Sequence, residues 1–121
     1  MVTEISCIAA KKALENGAVL LDVREKEEYA ASRIEPSMLI SLGELQSKIK
    51  EIPKNKFILT LCHHGMRSMS AAHFLESNGF QAASVRGGIE EWSKKIDQKI
   101  PKYTKRIIGN KIEILLFEKK T

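Results

Sequence analysis

Continuous apolar segments alternate along this chain with segments of helical periodicity. The run at residues 18–23 is apolar almost throughout, the run at 57–61 is nearly so, and residues 80–85 form a third strand-like segment. Apolar strands that alternate with helices are typical of a parallel sheet covered on both faces. The pattern therefore predicts an α/β fold.

The remaining segments complete this pattern. Ser6 is a typical N-cap for the first helix, while Tyr29 and Trp92 are expected to pack inward from the helices that carry them. A short strand is predicted at residues 38–41. Helices are predicted at residues 7–16, 25–29, 42–49, from about 67 to the glycine at 79, and 89–96.

The loop that follows the run at 57–61 combines a cysteine, a glycine and an arginine ahead of a helix. Cys62 ends the strand, and the helical period begins at about Arg67. The first N–H groups of a helix lack intrahelical partners and attract negative charge, Arg67 adds a cation, and Gly65 permits a tight turn. A fall of about two units in the cysteine pKa would make the thiol mostly thiolate at pH 7. Cys62 is therefore a candidate nucleophile.

Three blocks of sequence carry a resemblance to a known family. Residues 62–68, CHHGMRS, resemble the active-site loop of the rhodanese-like sulfurtransferases. Residues 20–29, LLDVREKEEY, are similar to that family's first strand and helix, and residues 85–92, VRGGIEEW, to its last strand, double glycine and closing helix. The resemblance implies a three-layer α/β/α domain with a central, mainly parallel sheet at residues 1–103, and leaves residues 104–121 as an extension.

The resemblance also implies a reaction and its residues. Cys62 would be the catalytic residue, which takes a sulfane sulfur from a small anionic donor such as thiosulfate and passes it, as a persulfide, to a thiophilic acceptor. Asp22 and Arg24 would support the site, although Asp22 could instead pair with Arg67. No cofactor is implied. The substrate-binding loop would consist of His63, His64, Gly65, Met66, Arg67 and Ser68.

Two features leave alternatives open. The two histidines of the loop either line its entrance or are exposed residues whose backbone matters more than their rings. Residues 32–37, SRIEPS, depart from the family's Gly-His-Ile-Pro-Gly-Ala stretch. Arg33 replaces the histidine there and could add charge beside the site.

Other functions compete with sulfur transfer. Cysteine-based phosphatases and arsenate reductases have five residues between cysteine and arginine, whereas this loop has four. A rhodanese-like domain can also serve as a non-catalytic or relay module for a protein sulfur donor or acceptor. A metal site is not expected, because adjacent side chains rarely converge on one ion and the remaining histidine, His73, is expected to be exposed on a helix.

Composition places further bounds on function. A net charge of +5 arises largely late in the chain, without a nucleic-acid-binding motif, so we expect a solvated basic surface and no nucleic-acid partner. There is neither an apolar run of membrane-spanning length nor a secretory signal pattern, so a cytoplasmic location is expected. In that compartment a structural disulfide is not expected, and Cys7 is expected to be a small, partly buried residue, the alternative being a resolving or relay thiol for Cys62.

The last eighteen residues are predicted to form a β-hairpin. Residues 104–108 and 111–118 are strand-like and are joined by Gly109-Asn110, a sequence suited to a type II′ turn. Both faces of this hairpin are partly apolar, so we expect it to pack against another protein surface. It either packs on the domain or pairs with a second copy, which would make a homodimer through residues 104–121.

Overall fold

A computed structural model describes residues 3–117 of the chain. A parallel sheet of five strands forms its centre, in the order β1-β5-β4-β2-β3. Its strands are β1 (Thr3–Ile5), β2 (Val19–Asp22), β3 (Met38–Leu39), β4 (Phe57–Leu61) and β5 (Gln81–Val85). The helices are α1 (Cys7–Glu15), α2 (Lys26–Ala31), α3 (Met66–Ser77) and α4 (Gly88–Lys95). Among residues 3–117, no helix is long and apolar enough to cross a membrane.

Strand β4 lies at the middle of the sheet, between β5 and β2. Its last residue, Leu61, is in register with Asp22, and the Leu61 carbonyl accepts a hydrogen bond of 2.9 Å from the N–H of Val23. The carboxyl ends of β2 and β4 therefore meet at one edge of the sheet. This is the edge at which open α/β sheets carry their ligand sites.

Two apolar cores lie on opposite faces of the sheet, as alternation along its strands requires. One core joins α1 and α4 to the sheet and contains the buried Trp92, which confirms the prediction that this side chain anchors the last helix. The other joins α3 to the sheet through Ala71, Ala72 and Leu75. The predicted three-layer α/β/α architecture is confirmed.

Two local predictions are wrong. The single helix predicted at residues 42–49 is replaced by two short 3-10 helices, Leu42–Glu44 and Ile49–Glu51, which are joined by a turn. Gly43 disfavours a longer helix, and the Ser47 hydroxyl binds the Glu44 carbonyl at 3.0 Å. In α2, Tyr29 is only half-buried, and its neighbour Glu28 is the fully buried side chain.

The hairpin predicted at the end of the chain is present as β6 (Tyr103–Ile108) and β7 (Lys111–Leu116). Gly109 has a φ of +59° and Asn110 does not have a positive φ, as a type II′ turn requires. Ile114 packs against the core that holds α1 and α4, so the hairpin is attached to the domain. The predicted end of its second strand, residue 118, lies outside the described residues.

Candidate active site

Cys62 follows β4 directly, in a loop that ends where α3 begins. The side chain is 1% exposed. Its Sγ atom accepts a hydrogen bond of 3.0 Å from the N–H of Gly65 and lies 3.4 Å from the Ser68 hydroxyl. Gly65 is the N-cap of α3 and has a φ of +111°, a conformation that favours glycine. The sulfur therefore lies at the N-terminus of a helix, where it accepts from a backbone N–H and the thiol can donate to the Ser68 hydroxyl oxygen.

Hydrogen bonds from buried hydroxyl groups fix the position of this loop relative to the sheet. The Ser68 hydroxyl lies 3.1 Å from the Gly65 carbonyl oxygen and 2.7 Å from the Ser84 hydroxyl on β5. The Thr60 hydroxyl donates to the Ser68 carbonyl at 2.7 Å. These groups are buried, so their polar atoms need such partners. They fix the first turn of α3 with respect to β4 and β5.

Helix α4 holds the loop from the other side. Its N–H groups at Ile89 and Glu90 donate to the carbonyl oxygens of Cys62 and His63, at 2.8 and 3.3 Å. Gly88 makes this approach possible, since a Cβ atom there would collide with both carbonyls and its φ is +63°. The double glycine identified in the sequence is therefore the point where α4 docks on the cysteine loop.

Arg67 is already paired with an acidic side chain. Its Nη1 and Nη2 atoms donate to the two oxygens of Glu28, at 2.7 and 2.9 Å. Glu28 has a fully buried side chain, whereas the Arg67 side chain is 25% exposed. Burial works against the charged carboxylate, but hydrogen bonds from Arg67 and Tyr103 outweigh it and lower the pKa of Glu28 to about 2. Hydrogen bonding to Glu28 also raises the pKa of Arg67.

Sequence reasoning missed Glu28. One signal was available, because Glu25 and Glu28 have the spacing of a capping box, and both hydrogen bonds of that box are present in α2. A capping box orients its third helical residue back toward the start of the helix. Here that start follows the carboxyl end of β2, which lies beside β4 and its cysteine loop.

Asp22 and Arg24 form a fully buried pair beside the loop. Arg24 donates from Nε and Nη2 to the Asp22 carboxylate, at 2.9 and 2.7 Å, and its Nη2 also reaches the Ser32 carbonyl. Asp22 is therefore the partner of Arg24 and does not pair with Arg67. The pair ties β2 to the segment after α2, which is the geometry expected of supporting residues.

The two histidines of the loop lie in different environments. His63 is only 8% exposed, and its ring lies between the rings of His64 and Tyr103, with centroid distances of 3.9 and 4.0 Å. Burial, with a smaller contribution from His64, lowers the pKa of His63 to about 4. His64 is exposed, with its Nε2 atom 3.0 Å from a Glu90 carboxylate oxygen. The interpretation of both rings as exposed is therefore wrong for His63.

Three potential metal ligands lie near this loop. Ligand atoms of His63, His64 and Glu90 lie within 4.8 Å of one another. A structural zinc site ordinarily needs four protein ligands, and Cys62 is not part of this group. The group is therefore incomplete as a structural zinc site, although the two neighbouring histidine rings do come together.

Of three other candidate residues, one borders the cysteine loop and two lie away from it. Met66, the first residue of α3, is 84% exposed. Arg33 pairs with Glu35 at 2.8 Å and lines a cavity beside Trp92, not the cysteine loop. Cys7 is buried, donates to the Arg86 carbonyl at 3.6 Å and belongs to the core opposite that of Cys62. Burial raises the pKa of the Cys7 thiol.

This chain is similar to known proteins in sequence. The family model described as Rhodanese-like domain matches residues 7–95. The Bacillus subtilis protein YtwF, which its name places among the sulfurtransferases, is 36% identical over 93 residues, or 75% of this chain and 90% of YtwF. Thiosulfate sulfurtransferase GlpE of Pseudomonas syringae is 37% identical over 79 residues, or 64% of this chain and 74% of GlpE.

A solved structure shows the same fold. The crystal structure of a rhodanese-related protein from Thermoplasma volcanium superposes with a TM-score of 0.73 and 31% sequence identity. The match covers 78% of this chain and 93% of that one. The shared architecture is that of a small α/β domain with a central parallel sheet.

Proposed function

Because the chain belongs to the rhodanese-like domain family, we propose that it transfers sulfane sulfur and that Cys62 carries the sulfur as a persulfide. The observation that carries this proposal is the hydrogen bond of 3.0 Å from the Gly65 N–H to Sγ, at the N-terminus of α3. A donor in that position stabilises negative charge on the sulfur, and the helix dipole acts in the same direction.

The reaction proceeds in two displacements at sulfur. The Cys62 thiolate attacks the outer sulfur of thiosulfate, a new S–S bond forms, and sulfite leaves with the electron pair of the broken bond. An acceptor nucleophile such as cyanide then attacks the outer sulfur of the persulfide, and Cys62 leaves as the thiolate. A covalent intermediate of this kind gives ping-pong kinetics.

In this scheme Arg67 acts mainly on the shape of the loop. Each of its two Nη atoms donates one N–H to Glu28 and retains a second N–H, and a quarter of the Arg67 side chain is exposed. Arg67 can therefore touch an anionic donor while it stays paired. The ion pair is close to neutral, so its attraction for the donor is weaker than that of an unpaired arginine.

The first experiment is to incubate the protein with thiosulfate and record its intact mass. The expected result is a gain of one sulfur, roughly 32 Da, in the wild-type chain and in Cys7→Ser but not in Cys62→Ser. Cyanide should remove the added sulfur and release thiocyanate. If Cys62 stays reactive to iodoacetamide but gains no sulfur, thiosulfate is not a donor, and a cysteine desulfurase carrying a persulfide is the next donor to test.

A second candidate function is that of a relay or partner-binding module. The exposed Met66 favours it, since an apolar side chain beside the loop would suit contact with a protein donor or acceptor. An inert Cys62 thiol would move this function ahead of catalysis. Hydrolysis of a phosphate ester by the wild-type chain would instead support the phosphatase alternative.

The C-terminal extension, 104–121, remains a candidate dimer interface. Leu115 and Phe117 are both about half exposed, at 46% and 52%, on the hairpin. Sedimentation of the full chain should show a dimer that becomes a monomer with Leu115→Lys. A monomer in both cases would contradict dimerisation through this face. The cytoplasmic location and the absence of a nucleic-acid partner also remain predictions.

A further inference from the structure

Tyr103 joins the C-terminal hairpin to the cysteine loop. It is the first residue of β6 and lies beyond residues 7–95, the region that matches the family. Its side chain is nevertheless only 1% exposed. A tyrosine at the start of an extension would ordinarily keep its hydroxyl in water, so the partners of this hydroxyl matter.

The Tyr103 hydroxyl is both a donor and an acceptor. It donates a hydrogen bond of 2.6 Å to Oε2 of Glu28 and accepts one of 3.1 Å from Nη1 of Arg24. Oε2 is also the oxygen that receives Nη2 of Arg67. Tyr103 therefore links the buried arginine of the supporting pair to the carboxylate that holds Arg67.

The ring of Tyr103 has a second contact in the loop. It stacks on His63 with a centroid distance of 4.0 Å and an interplanar angle of 10°. His63 directly follows Cys62, and its carbonyl oxygen is held by α4. Tyr103 therefore contacts His63, which directly follows Cys62. It also donates a hydrogen bond to Glu28, the partner of Arg67.

Glu28 is constrained through both of its oxygens. Oε1 receives Nη1 of Arg67 at 2.7 Å and the Glu25 N–H at 3.2 Å, and Nζ of Lys105 lies 3.6 Å away. Oε2 receives Arg67 and Tyr103. Since Tyr103 and Lys105 both belong to β6, the hairpin supplies one partner to each carboxylate oxygen.

We propose that Tyr103 is a positioning residue of the sulfur-transfer site, which fixes Arg67 through Glu28 and covers His63. This inference rests on the proposed function for its effect on rate. Its structural content, the orientation of Glu28 and the burial of His63, can be tested without any sulfur donor.

The test compares Tyr103→Phe, which removes the hydroxyl and keeps the ring, with Tyr103→Leu, which removes both. Tyr29→Phe is the matched control, because the hydroxyl of Tyr29 binds Ser37 and lies outside this network. With thiosulfate and cyanide at pH 7, Tyr103→Phe should lower kcat/KM roughly tenfold, since a buried hydrogen bond to a charged group is lost. The control should stay within about twofold of wild type.

Carbon NMR titration of the Glu28 carboxyl distinguishes a specific effect of Tyr103 on Glu28 from a general loss of stability, because a general loss would leave the pKa of Glu28 in the folded chain unchanged. Among residues 3–117, the charged and titratable groups that face this carboxyl are Arg67 from α3, Tyr103 and Lys105 from β6, and Arg24 through Tyr103. Its pKa is about 2 in the wild-type chain and should rise in Tyr103→Phe, because one donor to the charged form is lost. An unchanged Glu28 titration together with a wild-type rate would overturn the proposal.

Proton NMR of His63 in the unaltered chain gives a result that does not depend on any variant folding. The His63 ring should stay neutral down to a pKa of about 4, whereas Tyr103→Leu should move that pKa toward its ordinary value of 6.5. A His63 that titrates near 6.5 in the unaltered chain would overturn the proposal. If neither thiosulfate nor a cysteine desulfurase loads Cys62 with sulfur, the proposed function fails, while these two titrations still decide whether Tyr103 orients Glu28 and covers His63.

Discussion

The guanidinium of Arg67 donates to both oxygens of the buried Glu28 carboxylate, at 2.7 and 2.9 Å. This pair joins α2, which follows β2, to the first turn of α3, which follows the cysteine loop. Since Gly65 and Ser68 flank Arg67 and both approach Sγ, the orientation of Arg67 is coupled to the surroundings of the sulfur. Glu28 thereby holds the arginine of the loop that surrounds the thiol.

Replacing Glu28 by glutamine should destabilise the protein and slow sulfur transfer. The amide keeps the size of the side chain but leaves Arg67 without its countercharge. We expect a loss of about 2 kcal/mol in the free energy of unfolding, less than for a fully buried pair because Arg67 is partly exposed. Urea unfolding measures this loss. Glu27→Gln on the same helix is the control and should cost no more than about 0.5 kcal/mol.

The same pair predicts how acid acts on the wild-type chain. The folded-state pKa of Glu28, about 2, lies below its ordinary value of 4.5. Its contribution to stability is therefore fully present above about pH 4.5 and is lost as the pH falls toward 2. Glu28→Gln should lack this part of the acid destabilisation. If the wild-type chain and Glu28→Gln lost equal amounts of unfolding free energy between pH 4.5 and 2, the assignment to Glu28 would be contradicted.

The buried His63 gives a separate pH dependence at higher pH. Its folded-state pKa, about 4, lies below the ordinary value of 6.5, so the unfolded chain binds its proton first as the pH falls. Stability should therefore decrease from pH 6.5 downward, by about 2 kcal/mol at pH 5 from this group alone. Urea unfolding at pH 7 and pH 5 measures the decrease, and His63→Phe should remove most of it. His64→Phe is the control and should keep the decrease; a decrease that disappeared in His64→Phe but persisted in His63→Phe would contradict the assignment to the buried ring.

The sequence predicts those parts of the fold in which local pattern and burial agree. Strand β4 and helix α1 lie close to their predicted positions, because a continuous apolar run and a serine N-cap each favour one structure. Strand β1 was not predicted, because it has only three residues and is paired on one side alone, with β5. Its pairing, not its sequence, makes it a strand.

The site was predicted less completely than the fold. Cys62, Gly65 and Ser68 are neighbours in sequence, so their approach to one another follows from a strand, a tight loop and a helix start. Glu28 and Tyr103 are 75 positions apart, and their contact depends on where the hairpin packs. Neither residue belongs to a local pattern that specifies its partner, so only the tertiary structure brings them together.

The core position of Cys7 predicts that it has no part in sulfur transfer. Its thiol is 3% exposed, donates to the Arg86 carbonyl and belongs to the core on the other face of the sheet from Cys62. Cys7→Ala should keep the rate of thiosulfate-dependent persulfide formation within about twofold and cost about 1 kcal/mol of stability. Intact mass and urea unfolding measure the two effects. A persulfide that forms on Cys62 but no longer reaches cyanide would support the relay alternative.

Gly88 is the glycine whose replacement should damage the site most directly. An added Cβ atom would collide with the carbonyl oxygens of Cys62 and His63, and the φ of +63° is unfavourable for alanine. Either α4 moves away from the loop or the loop itself shifts, and both changes break the hydrogen bonds that Ile89 and Glu90 donate to these carbonyls. Gly88→Ala should therefore lower stability by roughly 2 kcal/mol and slow persulfide formation at least tenfold.

Gly43→Ala is the matched control for this substitution. It lies in a 3-10 helix, has no positive φ, and its Cβ atom would meet nothing within 4 Å. Alanine there should be neutral or slightly stabilising, because it reduces the freedom of the unfolded chain. Urea unfolding and the rate of sulfur uptake from thiosulfate, measured on both variants, separate the two sites. If Gly88→Ala matched Gly43→Ala in both measurements, α4 would not hold the cysteine loop in the way its backbone hydrogen bonds indicate.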